Sequence, residues 1–204
     1  MPTLTFDEER HFYALDGKPL PSVSKIIRMA GLAPDLSKIP PDVLEKARRR
    51  GIAVHTICEQ MDRGEDPLVH PDLEPYADAY ALFLRESGYR SEDTEQMVYH
   101  PDLLYAGRLD ARGWLHDHRT IIDRKATAEI DHVATAPQLG GYTGAYLAHT
   151  PEEHIETVYA LHLQRTGRYE LHPYAYESAW SVFASALTIY RWQQRHHPRR
   201  KHEG

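Results

Sequence analysis

The sequence predicts an α/β fold, a mixed β-sheet flanked by helices, on three observations. Helical and strand periodicities follow one another along the chain as helix, helix, three strands, helix, two strands, helix. The stretch from Tyr105 to Lys125, YAGRLDARGWLHDHRTIIDRK, sets two short apolar segments, each closing on an acidic residue, around a turn-rich link with Gly113, His116, Asp117 and His118. That is the pattern of a β-hairpin. With 204 residues, 41% of them hydrophobic and 26% charged, the chain suffices for one full core and is too short for two large ones. One domain spanning residues 1–204 is expected.

Taken in order, residues 1–40 read as an N-terminal extension, with a strand and turn in HFYALDGKPL and a short helix in IIRMAGL, ended by Gly31 and Pro34. From Pro41 to Met61, Val43, Ala47, Gly51, Val54, Cys58 and Met61 recur at three- and four-residue steps behind Pro40, which predicts a helix. His55 rides on the edge of that stripe, where a histidine is more often a core or surface residue than a ligand. Residues 62–71 read as a loop, and Asp72 to Ser87 as a second amphipathic helix ended by Gly88. Arg90 to His100 reads as a strand, with Glu95 ahead of the apolar Met97 and Val98. After Lys125, ATAEIDHVATAP reads as a loop, and a helix follows from about Pro137 to His149, opened by a capping box of Thr135 and Gln138. Gly140 and Gly141 weaken that helix by roughly 1 kcal/mol each relative to alanine, which suggests close packing or substrate approach. Glu156 to Gln164 and Tyr169 to Tyr174 read as antiparallel strands, and the last helix runs from about Ser178 to Gln194. Residues 195–204 read as a mobile basic tail.

Composition removes several classes. No apolar run approaches the length of a membrane span, and MPTLTFDEER has neither the basic nor the apolar region of a signal peptide. A cytoplasmic location without a membrane partner is expected. Cys58 is the single cysteine, which excludes an internal disulfide and a four-cysteine iron–sulfur cluster. The formal net charge of −6 argues weakly against a nucleic-acid partner. Local clusters argue the other way: Lys46, Arg48, Arg49 and Arg50 form one, and Arg191, Arg195, Arg199, Arg200 and Lys201 another, although either also reads as a solvated face. The 14 histidines are scattered and read mostly as surface residues.

Side chains two apart share a face of a strand, so Arg108 accompanies Asp110, and Asp123 accompanies Lys125. Two carboxylates and an ammonium converge in this reading. Hard divalent cations prefer carboxylate oxygens, and a lysine beside them can orient a water or offset charge on a phosphoryl group, which is the chemistry of phosphodiester hydrolysis. An isolated Asp-x-Lys is more often a surface salt bridge. In QLGGY, Gln138 and Tyr142 lie four apart and share a helix face.

The arrangement of GRLD followed by IIDRKA resembles the core of the PD-(D/E)XK nuclease superfamily, in particular its branch of RecB-like and phage-type exonucleases. Asp123-Arg124-Lys125 matches the D/E-x-K element. RGIAVHTICE is similar to the helix of RecB-like and mitochondrial-genome-maintenance-type exonucleases in which a histidine joins the acidic residues at the metal, and QLGGY resembles the family's Q-x-x-x-Y element. The resemblance covers about Gly51 to Tyr146. It implies a restriction-endonuclease-like core with Asp110, Asp123 and Lys125 as catalytic residues. It further implies His55, Asp110, Asp123 and the backbone carbonyl of Arg124 as ligands of one or two Mg²⁺ or Mn²⁺ ions. Glu95 stands where the family has an upstream acidic residue, and Glu59 lies one turn after His55; each also reads as a surface charge. Gln138, Tyr142, Arg108, Arg48, Arg49 and Arg50 are the implied DNA contacts.

The implied function is a stand-alone, metal-dependent exonuclease acting on DNA with a free end, in recombination, repair or replication. A single-strand-annealing or replication protein as a further partner is left open. The alternatives are a structure- or sequence-specific endonuclease of the same superfamily and an inactive nucleic-acid-binding module.

Overall fold

The computed structural model describes residues 2–8 and 12–196. It opens with three short antiparallel strands, β1 (Leu4–Asp7), β2 (Phe12–Leu15) and β3 (Lys18–Leu20), where the sequence suggested only a strand and a turn. Helix α1 (Val23–Met29) follows, its first turn capped by the Ser22 hydroxyl, which accepts from the Lys25 N–H at 3.1 Å. Helices α2 (Pro41–Asp62) and α3 (Glu74–Ser87) come next, and Gly88 ends α3 in the left-handed conformation, φ +64°.

The central sheet is built from β4 (Arg90–His100), β5 (Tyr105–Leu115), β6 (His118–Lys125), β7 (Thr157–Leu163) and β8 (Tyr169–Ala175), in that spatial order. Neighbours are antiparallel except β6 and β7, which run parallel because α4 (His132–Leu147) crosses between them. The chain ends in α5 (Tyr176–His196). This is the expected mixed sheet flanked by helices. The hairpin joining β5 and β6 closes through His116 and Asp117 alone, both at positive φ (48° and 63°), a two-residue turn whose twist suits paired strands. Gly113 belongs to β5 instead of the turn, and an added Cβ there would meet the Arg90 carbonyl oxygen at 2.1 Å.

Two apolar layers sandwich the sheet. On one face Ile26 of α1, Leu139 of α4 and Phe183 of α5 pack with Leu109, Ile121 and Val158; on the other, Val54 and Cys58 of α2 and Tyr80 and Phe83 of α3 pack with Ala111, Ile122 and Leu161. Near the N-terminus, α1 lies in the first layer, and Tyr13 and Leu20 pack on Ala106.

Some features of the helices differ from the sequence reading. Helix α4 begins five residues before Pro137, because the Asp131 carboxylate accepts from the N–H groups of Val133 and Ala134 at 3.0 and 3.1 Å and supplies the cap assigned to Thr135. Pro137 lies inside the helix, past its first turn, and removes one ladder donor there. Close packing, not substrate approach, accounts for the helix glycines: a Cβ on Gly140 would lie 2.4 Å from the Ala179 backbone, and one on Gly141 would lie 2.8 Å from the Phe183 ring. Helix α5 starts at Tyr176 and runs through His196, so Arg195 is helical, while Arg199, Arg200 and Lys201 lie outside the described residues. Among the described residues no helix is long and apolar enough to cross a membrane.

Candidate active site

The site forms where β5 and β6 part. Their ladder runs from the turn only as far as Ala111 opposite Ile122; beyond it β6 pairs with β7, and β5 with β4. In place of the next ladder bond, the Asp110 carboxylate enters the gap and Oδ2 accepts from the Arg124 N–H at 2.7 Å. A hydrogen-bonded pair of strands leaves no room for a side chain between them; a splayed pair does.

Two further groups converge on Asp110. Glu95 lies across from it on β4, between the register pairs Thr94–Ala111 and Gln96–Leu109, and holds φ at +52° in mid-strand. A non-glycine residue in that conformation costs of order 1–3 kcal/mol and persists only where its surroundings demand it. Here it aims a carboxylate inward: Glu95 Oε1 is 3.5 Å from His55 Nδ1, and Oε2 is 3.9 Å from an Arg108 guanidinium nitrogen. His55 arrives from α2, which is anchored through buried Val54 and Cys58. Its Nδ1 is 3.6 Å from Asp110 Oδ2, and its Nε2 is 2.9 Å from the Arg124 carbonyl oxygen. One turn earlier, a Cβ on Gly51 would meet no described atom within 4 Å, so the approach beside His55 is open.

The charges perturb one another. Asp110, with smaller contributions from Glu95 and Asp123, outweighs burial and raises His55 to about 9, so the metal-free protein carries an imidazolium at neutral pH. Burial pushes the Asp123 carboxyl above its ordinary range, with Lys125 opposing and Asp110 adding to the shift. Burial acts to lower the Lys125 ammonium, but Asp123 and Asp110 prevail and hold it raised. Its Nζ stands 2.7 Å from Asp123 Oδ2 and donates to Gln138 Oε1 at 3.2 Å. Gln138 in turn donates to the Tyr142 hydroxyl at 3.0 Å, and the buried Tyr142 ring covers Gly107, where a Cβ would lie 2.5 Å from it. Asp123, Lys125, Gln138 and Tyr142 thus form one chain of contacts, with Tyr142 behind the lysine and not on an open surface.

Alternation along Asp123-Arg124-Lys125 sends the Arg124 side chain to the opposite face. There it is 1% exposed, paired with Asp62 at the end of α2 and donating to the Tyr80 hydroxyl at 3.0 Å, with its guanidinium over the Tyr80 ring at 5.1 Å. The Tyr80 hydroxyl donates to Asp62 at 2.5 Å. The sequence reading used only the Arg124 carbonyl and missed this network, which locks the helix carrying His55 to the strand carrying Asp123 and Lys125. A signal existed: Asp62 lies seven residues after His55, on the same helix face.

Other expected residues fall elsewhere. Glu59 pairs with Arg63 at 2.8 Å. Arg48 and Arg49 are exposed and both bind Glu45, at 2.9 and 2.7 Å; Arg50, partly buried, follows them on α2. Arg108 was expected beside Asp110; it serves Glu95 and stacks over Phe6 at 5.0 Å. A surface hollow of about 410 Å³ lined by Gln96, Tyr99, Tyr146 and His149 contains none of these residues.

The donor set suits a hard divalent cation. Carboxylate oxygens predominate, and Glu95 Oε1 is buried without a hydrogen-bond partner among the described residues. His55 Nε2 donates to the Arg124 carbonyl oxygen at 2.9 Å, which turns Nδ1 toward the Glu95 and Asp110 carboxylates.

No protein-family model matches this chain, and no curated protein matches it in sequence. Among solved structures, the alkaline exonuclease LHK-Exo from Laribacter hongkongensis is similar at 14% identity, over 85% of this chain and 91% of that one, with a TM-score of 0.36. LHK-Exo in complex with dAMP is similar at 15% identity over 86% and 92%, with a TM-score of 0.36. A structure of SSO0001 is similar at 12% identity over 56% of each chain, with a TM-score of 0.31. Likenesses this distant add nothing to the geometry.

Proposed function

We propose that the protein is a divalent-metal-dependent deoxyribonuclease that trims DNA from a free end. The observation that supports it most is the gap between β5 and β6, where His55, Glu95, Asp110 and the Arg124 carbonyl converge beside the Asp123–Lys125 pair. In this reading His55, Asp110, Asp123 and the Arg124 carbonyl hold one or two Mg²⁺ or Mn²⁺ ions, with Glu95 as a further oxygen donor. When bound, such ions polarise a phosphoryl oxygen and acidify a water.

The chain's own groups do the rest. Lys125, kept cationic by Asp123 and steadied by Gln138, presents an ammonium to the attacking water or to the charge that develops on the phosphoryl oxygens. Tyr142 fixes Gln138 from behind. Arg108, at the rim and partly exposed, is free to exchange its loose contact with Glu95 for a phosphate. The open surface before Gly51 and the arginines Arg48, Arg49 and Arg50 upstream of His55 offer the backbone a path that reads no base sequence. The choice of an end-directed enzyme rests on that run and on the resemblance of RGIAVHTICE.

The test incubates the protein with end-labelled linear DNA and covalently closed circles, with Mg²⁺ or with a chelator. Degradation of linear DNA, survival of circles and arrest by chelator are expected. Linearised circles would move the reading to the endonuclease, and DNA binding without cleavage in either metal would leave a binding module. Changing Arg48, Arg49 and Arg50 together to glutamine should flatten the salt dependence of binding, by a slope of up to about 3 for three lost phosphate contacts.

A further inference from the structure

Histidines and an acid meet a second time, on β7 and β8. His162 lies opposite Glu170 in the register, and His172, which follows Glu170 by two, lies opposite Ala160. All three side chains therefore emerge on one face of the sheet. One nitrogen from each imidazole and a carboxylate oxygen of Glu170 fall within 4.8 Å of one another. We propose that His162, Glu170 and His172 bind a transition-metal cation that favours imidazole, Zn²⁺ in the first instance, independently of the carboxylate site between β5 and β6.

The contacts orient both rings toward a common point. His162 Nε2 is 2.9 Å from the Thr127 carbonyl oxygen. A carbonyl only accepts, so Nε2 carries a proton, and the other ring nitrogen, Nδ1, faces Glu170 Oε2 at 3.9 Å. An imidazole whose far nitrogen donates to a backbone carbonyl is oriented as metal-bound histidines are. His172 Nε2 is 3.5 Å from the same Glu170 oxygen, shielded from solvent and without a hydrogen-bond partner among the described residues. A shielded polar atom left so is costly, and a cation between the two rings and the carboxylate would satisfy it.

Two imidazoles and one carboxylate form a donor set of tetrahedral zinc with a fourth position for water, whereas Mg²⁺ prefers oxygen throughout. Adjacent ligands on such an ion lie about 3.3 Å apart with bonds of about 2.0 Å, so the 3.5 Å contact is nearly in place. Glu170 is half exposed and free to close the longer one. His132 is not counted as a ligand, because its Nδ1 engages the Tyr174 hydroxyl at 2.6 Å; its ring borders His172 at 5.2 Å between centroids. The ion would tie the edge strand β8 to the segment after β6 through His162 and Thr127.

The experiment uses the full chain stripped with chelator and dialysed against Zn²⁺ in excess Mg²⁺, with bound metal measured directly and Co²⁺ absorption as a probe of tetrahedral geometry. One Zn²⁺ per chain should be retained. Affinity should fall about tenfold or more in His172→Ala and in Glu170→Gln, both partly exposed positions whose replacement spares the core, and should persist in His55→Ala. No retained zinc, in which case the three side chains form only a cross-strand ion pair, would overturn the proposal. Zinc lost in His55→Ala but kept in His172→Ala would overturn it equally.

Discussion

Strand β6 buries charge on both of its faces, and the two faces treat it differently. On one, Arg124 is paired from within: Asp62 supplies the counter-charge, and Tyr80 supplies an acceptor and an aromatic face. On the other, Lys125 answers Asp123, and Asp110 and Glu95 add carboxylates that face His55, raised by them, and a more distant Arg108. Adjacent residues thus sit in a neutralised network and in a set of groups with the donor chemistry of a cation site. The difference teaches where to look for stability and where for chemistry, and four changes test it.

The largest effect is expected from Asp123→Asn. Cleavage should fall by about 10³-fold or more, roughly 4 kcal/mol in the barrier, while the protein stays folded in chelator, because the partly exposed Lys125 keeps Gln138 and Asp110 beside it. The rise in melting temperature that Mg²⁺ gives the parent should shrink in this variant. An unfolded Asp123→Asn protein would break the comparison.

The converse change is Asp62→Ala, which strands a buried guanidinium. It should cost about 3–5 kcal/mol, or roughly 10 °C in a chain of this size. Combining Asp62→Leu with Arg124→Met should restore most of that stability in a urea melt and retain measurable cleavage, since the Arg124 carbonyl remains in place.

Lys125→Ala sharpens the chemical side. Single-turnover cleavage at saturating Mg²⁺ should slow by about 10²-fold, with the stabilisation by Mg²⁺ little changed. Loss of that stabilisation with normal turnover would assign the lysine to metal binding.

The smallest effect is a pH dependence of the metal-free protein. His55 is raised from 6.5 to about 9, so its contribution is complete below pH 6.5 and is lost as pH climbs through 9. Asp123, also raised, loses its contribution as pH climbs out of the ordinary carboxylate range. Both slopes point the same way. The Asp123 loss is complete by about pH 6, so His55 alone sets the upper window: melts in chelator should lose on the order of 1–3 kcal/mol between pH 6.5 and 9, and His55→Gln should flatten it. Mg²⁺ binding should release protons there, because a ligating imidazole must be neutral.

Local pattern made much of this legible. Period-two alternation placed Asp123 and Lys125 on one face, four-residue spacing joined Gln138 to Tyr142, and the apolar stripe of α2 predicted where His55 would ride. Where two local signals competed, the stronger cap won, and Asp131 started α4 earlier than Pro137 suggested.

The major helices, the five strands of the central sheet and most of their faces were legible in the sequence, because they follow from repeats a few residues long. Tertiary structure alone decided which faces meet. His55 reaches the Arg124 carbonyl across 69 residues, Asp62 reaches the same residue from beneath, and Glu95 joins them through a strained strand beside a splayed ladder. The parallel pairing of β6 with β7 sets Lys125 beside His162, and the β7–β8 hairpin gathers Glu170 with two of the histidines that read as scattered. Contacts of that range depend on strand order and loop closure, and those leave no periodic trace in the residues they bring together.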